Sequence, residues 1–194
     1  MKTRFPAVDE DLVVQLDRAN RMKINLIDFV GYHIYMKGYY EPDTVHIMQS
    51  MLSPGMVMFD IGAHFGQYTL VASSKVGPTG SVHAFEPGPT QLKYLKYNID
   101  LNKRENVVVN SVALGSQEGT IAFTVGPAAN LGGSHISLEG EESISVPVTT
   151  LDKYCTEHNV NRIDVLKVDV EGAEKSVFEG GRQLFIESPP SAVF

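Results

Sequence analysis

The stretch "MFDIGAHFGQYTL", Met58 to Leu70, carries an aspartate, Asp60, and two glycines four apart, Gly62 and Gly66. A glycine directly after a strand takes a positive φ and lets a ligand approach the backbone. In a dinucleotide fingerprint, three glycines spaced G-x-G-x-x-G seat a pyrophosphate on the helix N-terminus. Here His64 stands where the middle glycine belongs and would crowd a pyrophosphate, and Asp60 would repel it. The loop therefore suits a cation without phosphates. S-adenosylmethionine has that chemistry: a sulfonium, an ammonium and a ribose. Taken alone, the two glycines are explained as well by a tight turn.

A second carboxylate sharpens the reading. "HAFEP" carries Glu86, 24 residues after Gly62. At the C-terminal end of a neighbouring strand, a carboxylate can accept both ribose hydroxyls and disfavours a 2′-phosphate, which argues against NADP. The bland alternative is an exposed glutamate before a proline turn; spacing and position favour the ribose. Ser111 and Ala113, after the next strand, then fall beside the adenine by topology rather than by residue type.

A sulfonium donor implies an in-line substitution, in which the protein aligns a nucleophile and removes a proton. An alcohol is a poor acid, so a base or a metal assists. In "LKVDVEGAE", Lys167, Asp169 and Glu171 alternate with apolar residues and would share one face of a strand. Asp169 is expected at the strand's C-terminal end, where ligands bind in open parallel sheets, as base or substrate orienter. Glu171 is the second choice, since a carboxylate in a helix's first turn serves equally as a cap. Lys167 would lower the pKa of a neighbouring acid or simply pair with it. Asp169 and Glu171 alone are few ligands for Mg²⁺, so no metal is expected. His64 and His135 are alternative bases. His64 better suits packing or hydrogen bonding within the cofactor loop. His135 shares "NLGGSHIS" with Asn130 and Ser134, a loop that reads as a polar hairpin tip able to close over a substrate. Tyr68 reads as core or cofactor-lining, and Cys155 as an unreactive thiol on a surface helix.

These residues need strands that end side by side. "MVMFDI" (56–61), "SVHAFEP" (81–87), "NVVVNSVAL" (106–114) and "IDVLKVDV" (163–170) read as buried strands. Helical spacing occupies "GQYTLVASSKVG", "PTQLKYLKYNIDLN" and "EGAEKSVFEGGRQLF", the last with Ala173, Val177 and Phe178 inward. The alternation predicts a doubly wound, mostly parallel α/β sheet with helices on both faces. "GTIAFTV" and "SISVPVTTL" flank a polar loop and predict an antiparallel insertion at the sheet edge. "TLDKYCTEHNV" reads as a short helix. Residues 7–35 read as one or two helices, followed by a helix from Pro42 to the stop signal Ser53-Pro54-Gly55. The expected organisation is an N-terminal helical cap over 1–55 and a Rossmann-like domain over 56–194.

In order along the chain, "VMFDIGAHFGQYTL", "GSVHAFEPGPTQLKYLKYNI", "NVVVNSVALG" and "TLDKY…IDVLKVDVEGAE" resemble the successive motifs of FkbM-type methyltransferases, over roughly residues 38 to 187. The resemblance implies a class I Rossmann-like fold and S-adenosylmethionine-dependent methylation, usually of a hydroxyl on a sugar or natural product. It carries Asp60, Gly62, Gly66 and Glu86 over as cofactor contacts, and adds Glu41 in "GYYEP". Such domains have seven strands, and this chain ends inside the fifth, so the last hairpin is expected to be missing. An uncovered edge strand invites pairing with a second copy. The competing readings are a dinucleotide-dependent oxidoreductase and a non-catalytic cofactor-binding protein.

Composition narrows the partners. A formal charge of −7 and a pI near 5.3 favour neither a nucleic acid backbone nor an anionic membrane. One cysteine among 194 residues cannot form an internal disulfide, and the N-terminus lacks a signal peptide's apolar core. The expectation is a cytoplasmic enzyme acting on a small hydroxylated acceptor.

Overall fold

The computed structural model describes residues 11–138 and 141–194. Residues 7–10 of the expected N-terminal helix and residues 139–140 of the long loop lie outside them. The described chain opens on an antiparallel hairpin rather than a helix: β1 (Asp11–Gln15) pairs with β2 (Arg21–Asn25). The governing period is two. Leu12 and Val14 pack against the core, and Met22 and Ile24 are fully buried in it. The turn is built by Asp17, whose Oδ1 accepts from the Ala19 and Asn20 amides at 2.7 and 2.9 Å. The helical part of the expectation holds for α1 (Phe29–Lys37) and α2 (Pro42–Met51). Asp28 caps α1, accepting from the Gly31 amide at 2.9 Å.

From there the chain alternates: β3 (Val57–Ile61), α3 (Gln67–Val76), β4 (Ser81–Phe85), α4 (Pro89–Leu101) and β5 (Val107–Asn110). Side chains of α4 finish the hairpin's outer edge. Asn98 accepts from Lys23 N at 2.6 Å and donates to its carbonyl at 3.1 Å, and Asn102 does the same for Arg21. A strand edge that would otherwise stay open is thereby paired.

The run 106–114 is not one strand. After β5 the chain changes partners and enters a second sheet as β6 (Ala113–Leu114), followed by β7 (Gly119–Thr124), β8 (His135–Ile136) and β9 (Ile144–Thr149). This sheet, ordered β6-β9-β7-β8, is separate from the first rather than an extension of its edge. The antiparallel pairing of β7 with β9 is as expected. Then come α5 (Leu151–Glu157), β10 (Val165–Val168), α6 (Glu174–Gly180), α7 (Arg182–Glu187) and β11 (Ala192–Val193). The single helix expected over 171–185 is two short ones meeting at Gly181. Val177 is buried as expected, whereas Phe178 is 38% exposed and turns toward Phe185 on the surface.

The first sheet has the order β11-β10-β3-β4-β5, every pair parallel. Its alternating side chains make two cores. Met58, Val82, Ala84 and Val165 face α3 and α4. Phe59, Ile61, Phe85 and Leu166 face Leu151 and Tyr154 of α5 and Val177 of α6. Burial on both faces explains why these strands read as continuous apolar runs. Among the described residues no helix is long and apolar enough to cross a membrane.

Candidate active site

A cavity of about 320 Å³ opens at the carboxyl ends of β3, β4 and β10. This is where open parallel sheets bind ligands, and the size suits a small molecule. The loop after β3 forms one wall. Gly62 (φ +79°) lines it, and a Cβ there would lie 1.9 Å from the Asp169 carbonyl oxygen. The amides of Gly62 and Ala63 both donate to the Phe85 carbonyl at 3.0 Å, which ties the loop to β4. Gly66 (φ +90°) opens α3 behind the wall, with no space for a Cβ against Leu95, and does not line the cavity.

Glu86 lies on the wall at the end of β4, 5% exposed. Its Oε2 accepts from the His64 amide and its Oε1 from the Gly88 amide, each at 2.8 Å. Burial pushes this carboxyl up to about 7, although both amides and the Lys167 charge pull it down. Asp60 departs from the expectation. It is wholly buried below the wall, accepting from Thr69 Oγ1 at 2.5 Å, with Lys167 Nζ 3.2 Å from its other oxygen. In β3 it shares the face of Met58, toward α3, and so does not reach the cavity. Lys167 also donates to the Gly62 carbonyl at 2.9 Å and lies 3.7 Å from Asp169. His64 stacks on Phe65 at 4.1 Å and lines the cavity. Both its ring nitrogens are enclosed without a partner among the described residues, and burial, then the Lys167 charge, holds the ring down to about 3, so it is neutral.

The opposite rim comes from the N-terminal region. Gln67 exchanges two hydrogen bonds with the Tyr40 backbone, at 2.7 and 2.9 Å, and so pins Glu41 (φ +49°) at the cavity. Tyr68 donates to Glu41 Oε2 at 3.0 Å; burial and the Glu41 charge push its phenol far above the ordinary range. Gln67 carries no motif that would have singled it out. Asp169 and Glu171 (φ +47°) both line the cavity with exposed side chains. Glu171 precedes α6, whose first turn carries Glu174 instead; Glu174 accepts from Gly172 N at 3.2 Å, in the loop before the helix. Among the described residues, the carboxylates Glu41, Asp169 and Glu171 and the raised carboxyl of Glu86 thus face one ammonium, Lys167, which is already paired with Asp60. Such a wall favours a cation and repels a phosphate.

Ala113 lines the cavity with Val112 and Leu114, but Ser111 is exposed and lies outside, because the partner change after Asn110 alters which residues turn inward. His135 turns away as well, toward Glu141 at 3.0 Å and the Gly133 carbonyl at 2.9 Å, while Asn130 is exposed. Leu131, Gly132, Ser134 and Ile136 do roof the cavity. The roof is tied from two sides: buried Asp28 accepts from Leu131 N at 2.9 Å, and Gln91 donates to the Leu131 carbonyl at 2.8 Å and to Ser134 Oγ at 2.6 Å. Neither the Asp28 cap nor its second bond, to Leu131, is expected from the sequence, which reads as helix through residues 7–35. Cys155 is buried rather than superficial, and burial pushes its thiol up to about 11.

Residues 60–193 match the methyltransferase FkbM domain family. The chain belongs to the FkbM methyltransferase family. The donor of these enzymes is S-adenosylmethionine. The hexuronic acid methyltransferase AglP of Haloferax volcanii is 30% identical over 140 residues, which are 72% of this chain and 56% of AglP. The 31-O-demethyl-FK506 methyltransferase FkbM of Streptomyces tacrolimicus is 30% identical over 159 residues, covering 66% of this chain and 60% of that enzyme. The chain therefore spans a little over half the length of these relatives. The solved FkbM methyltransferase of Methylobacillus flagellatus shares the fold, with a TM-score of 0.51 over 77% of this chain and 38% of that one at 19% identity. The class I architecture expected from the FkbM motifs is the one observed.

Proposed function

We propose that this chain is an S-adenosylmethionine-dependent methyltransferase that methylates a hydroxyl of a sugar or other small natural product. The supporting observation is the joint presence of Glu86 and Asp169 on one anionic cavity, just beyond the ends of β4 and β10, the two parallel strands that flank β3. When bound, S-adenosylmethionine supplies an electrophilic methyl group on a sulfonium. Glu86 would hold the ribose hydroxyls, using lone pairs its two amide partners leave free. Val112 and Ala113 would flank the adenine. Gly62 lets the backbone come close, and Glu41 with the neighbouring acids favours the cationic end. The partnerless nitrogens of His64 offer a neutral donor and acceptor to the same ligand.

Asp169 is the proposed base: its exposed carboxylate would take the proton of the acceptor hydroxyl as that oxygen is methylated, with the donor's sulfur as leaving group. Lys167 and the β10 backbone fix its position. Glu171 orients the acceptor. The names of AglP and of the Streptomyces FkbM enzyme, acting on a hexuronic acid and on a demethylated natural product, support an oxygen acceptor of this class.

Calorimetry with S-adenosylmethionine, S-adenosylhomocysteine and NAD tests the reading. Both adenosyl compounds should bind and NAD should not. Binding of NAD with no response to either adenosyl compound overturns it. Asp169→Ala should retain S-adenosylhomocysteine binding and lose about 10²–10⁴ in turnover with a hydroxylated acceptor.

A further inference from the structure

The solvent face of α1 is aromatic where a surface helix is normally polar. Phe29, Tyr32, Tyr35 and Met36 are 49, 43, 55 and 54% exposed among the described residues, while Gly31 and Ile34 hold the buried side. The rings form a connected set. Phe29 lies 4.2 Å from His33 and 6.1 Å from Tyr40, and His33 lies 6.0 Å from Tyr40 and 5.8 Å from Tyr32. Tyr40 itself lines the cavity, as does Val30 of the same helix. The Phe29 amide donates to the Ala129 carbonyl at 3.0 Å, so this face is also tied to the loop that leads into the roof.

We propose that this face is an acceptor subsite for a saccharide of two or more rings, with the reacting sugar in the cavity and the following rings on Tyr40, Phe29 and Tyr32. The proposal rests on the methyltransferase reading and extends it outside the cavity. An exposed apolar patch continuous with a cavity is a binding surface in waiting. Its chemistry selects the occupant. The rings are interspersed with polar tips, the hydroxyls of Tyr32, Tyr35 and Tyr40 and the free edge of His33, whose Nδ1 is engaged by the Phe29 carbonyl at 2.8 Å. A purely hydrocarbon surface would leave those tips unpaired. A pyranose offers both halves: an apolar C–H face for a ring and hydroxyls for the tips. An anionic lipid surface is disfavoured because Lys37 is the only lysine or arginine of α1, and Glu41, Asp169 and Glu171 stand at the mouth.

The test screens the protein, saturated with S-adenosylhomocysteine, against an array of neutral and charged glycans of one to six rings, followed by calorimetry on the best hit and its monosaccharide. The longer glycan should bind more tightly than its monosaccharide. Phe29→Ala and Tyr32→Ala should each weaken the longer glycan by about tenfold, the scale of a lost aromatic contact, and leave the monosaccharide and S-adenosylhomocysteine unchanged. Three results overturn the inference: no glycan bound by protein that binds S-adenosylhomocysteine, equal affinity for short and long glycans, or variants whose only effect is to abolish self-association in light scattering or binding to phosphatidylcholine vesicles. Failure to bind S-adenosylhomocysteine at all would instead strike the methyltransferase reading.

Discussion

Replacing Glu86 with glutamine should change how the stability of the ligand-free protein depends on pH. Both carboxylate oxygens are enclosed, and burial raises the group from an ordinary 4.5 to about 7. Below pH 4.5 the residue is protonated in the folded and unfolded chains alike, and its contribution is fully present. Between 4.5 and 7 the folded protein keeps a proton that the unfolded chain has released, so stability falls as pH rises through this window. A shift of about 2.5 units at about 1.36 kcal/mol each amounts to roughly 3 kcal/mol lost by alkaline pH. Glutamine cannot ionise, so the variant lacks this loss. Its amide nitrogen must instead face one of two backbone N–H donors, a penalty of about 1–3 kcal/mol that is the same at every pH. The decisive quantity is therefore the difference between the two unfolding free energies, measured by urea titration from pH 5 to 8. It should move toward the variant by about 2–3 kcal/mol over that interval. Taking the difference removes His64 and His83, held down to about 3 and 4 by burial, which add stability as pH rises toward 6.5 and so oppose Glu86 in both proteins. A flat difference would refute the claim that burial controls this carboxyl. The same substitution should weaken S-adenosylhomocysteine by about 1–3 kcal/mol at pH 8. The residue that costs stability in the empty protein would then be one that binds its ligand.

Three further substitutions probe how the site is held. Gly62→Ala puts a Cβ 1.9 Å from the Asp169 carbonyl at a φ of +79°, and should cost about 3 kcal/mol or more by urea unfolding; wild-type stability would show the close approach to be dispensable. Lys167→Met leaves Asp60 buried without its counter-charge, at about 3–5 kcal/mol. Adding Asp60→Asn should recover most of that loss, and a double-mutant cycle with no coupling would dissolve the pair. Asp28→Ala removes an acceptor from both the Gly31 and Leu131 amides, at about 2–4 kcal/mol. In hydrogen exchange the Leu131 amide should be deprotected more than that of Leu70 in the core, and equal deprotection would count against a local tether.

What the sequence disclosed and what it concealed divide along the range of the contacts involved. β3, β4 and β10 were legible because both their faces are buried, and the carboxylates at or just beyond their ends followed from the strands. Glu86 and Asp169 reach the cavity for that reason alone. The N-terminal hairpin is hidden because Leu12, Val13, Val14 and Leu16 fit neither a period of two nor 3.6 cleanly, and Val13 is the exposed one, at 49%. Asp60 lies beneath the wall for a reason the sequence does not show. A carboxylate two residues before a glycine looks the same whether it faces a ligand or the layer beneath. What decides is the register that sets Asp60 directly opposite Lys167 in the adjacent strand, a pairing of residues more than a hundred apart. Once that ammonium is seen, the charge at Asp60 is spent on holding Lys167 and, through it, the Gly62 carbonyl. The aspartate then serves the loop from below, and the anionic wall is left to Glu41, Glu86, Asp169 and Glu171. The roof obeys the same rule: Asp28 meets Leu131 across 103 residues and Gln91 meets it across 40. Donor-side groups inherited from a parallel sheet are therefore readable along the chain, whereas the surfaces that would choose an acceptor exist only after distant segments have closed on one another.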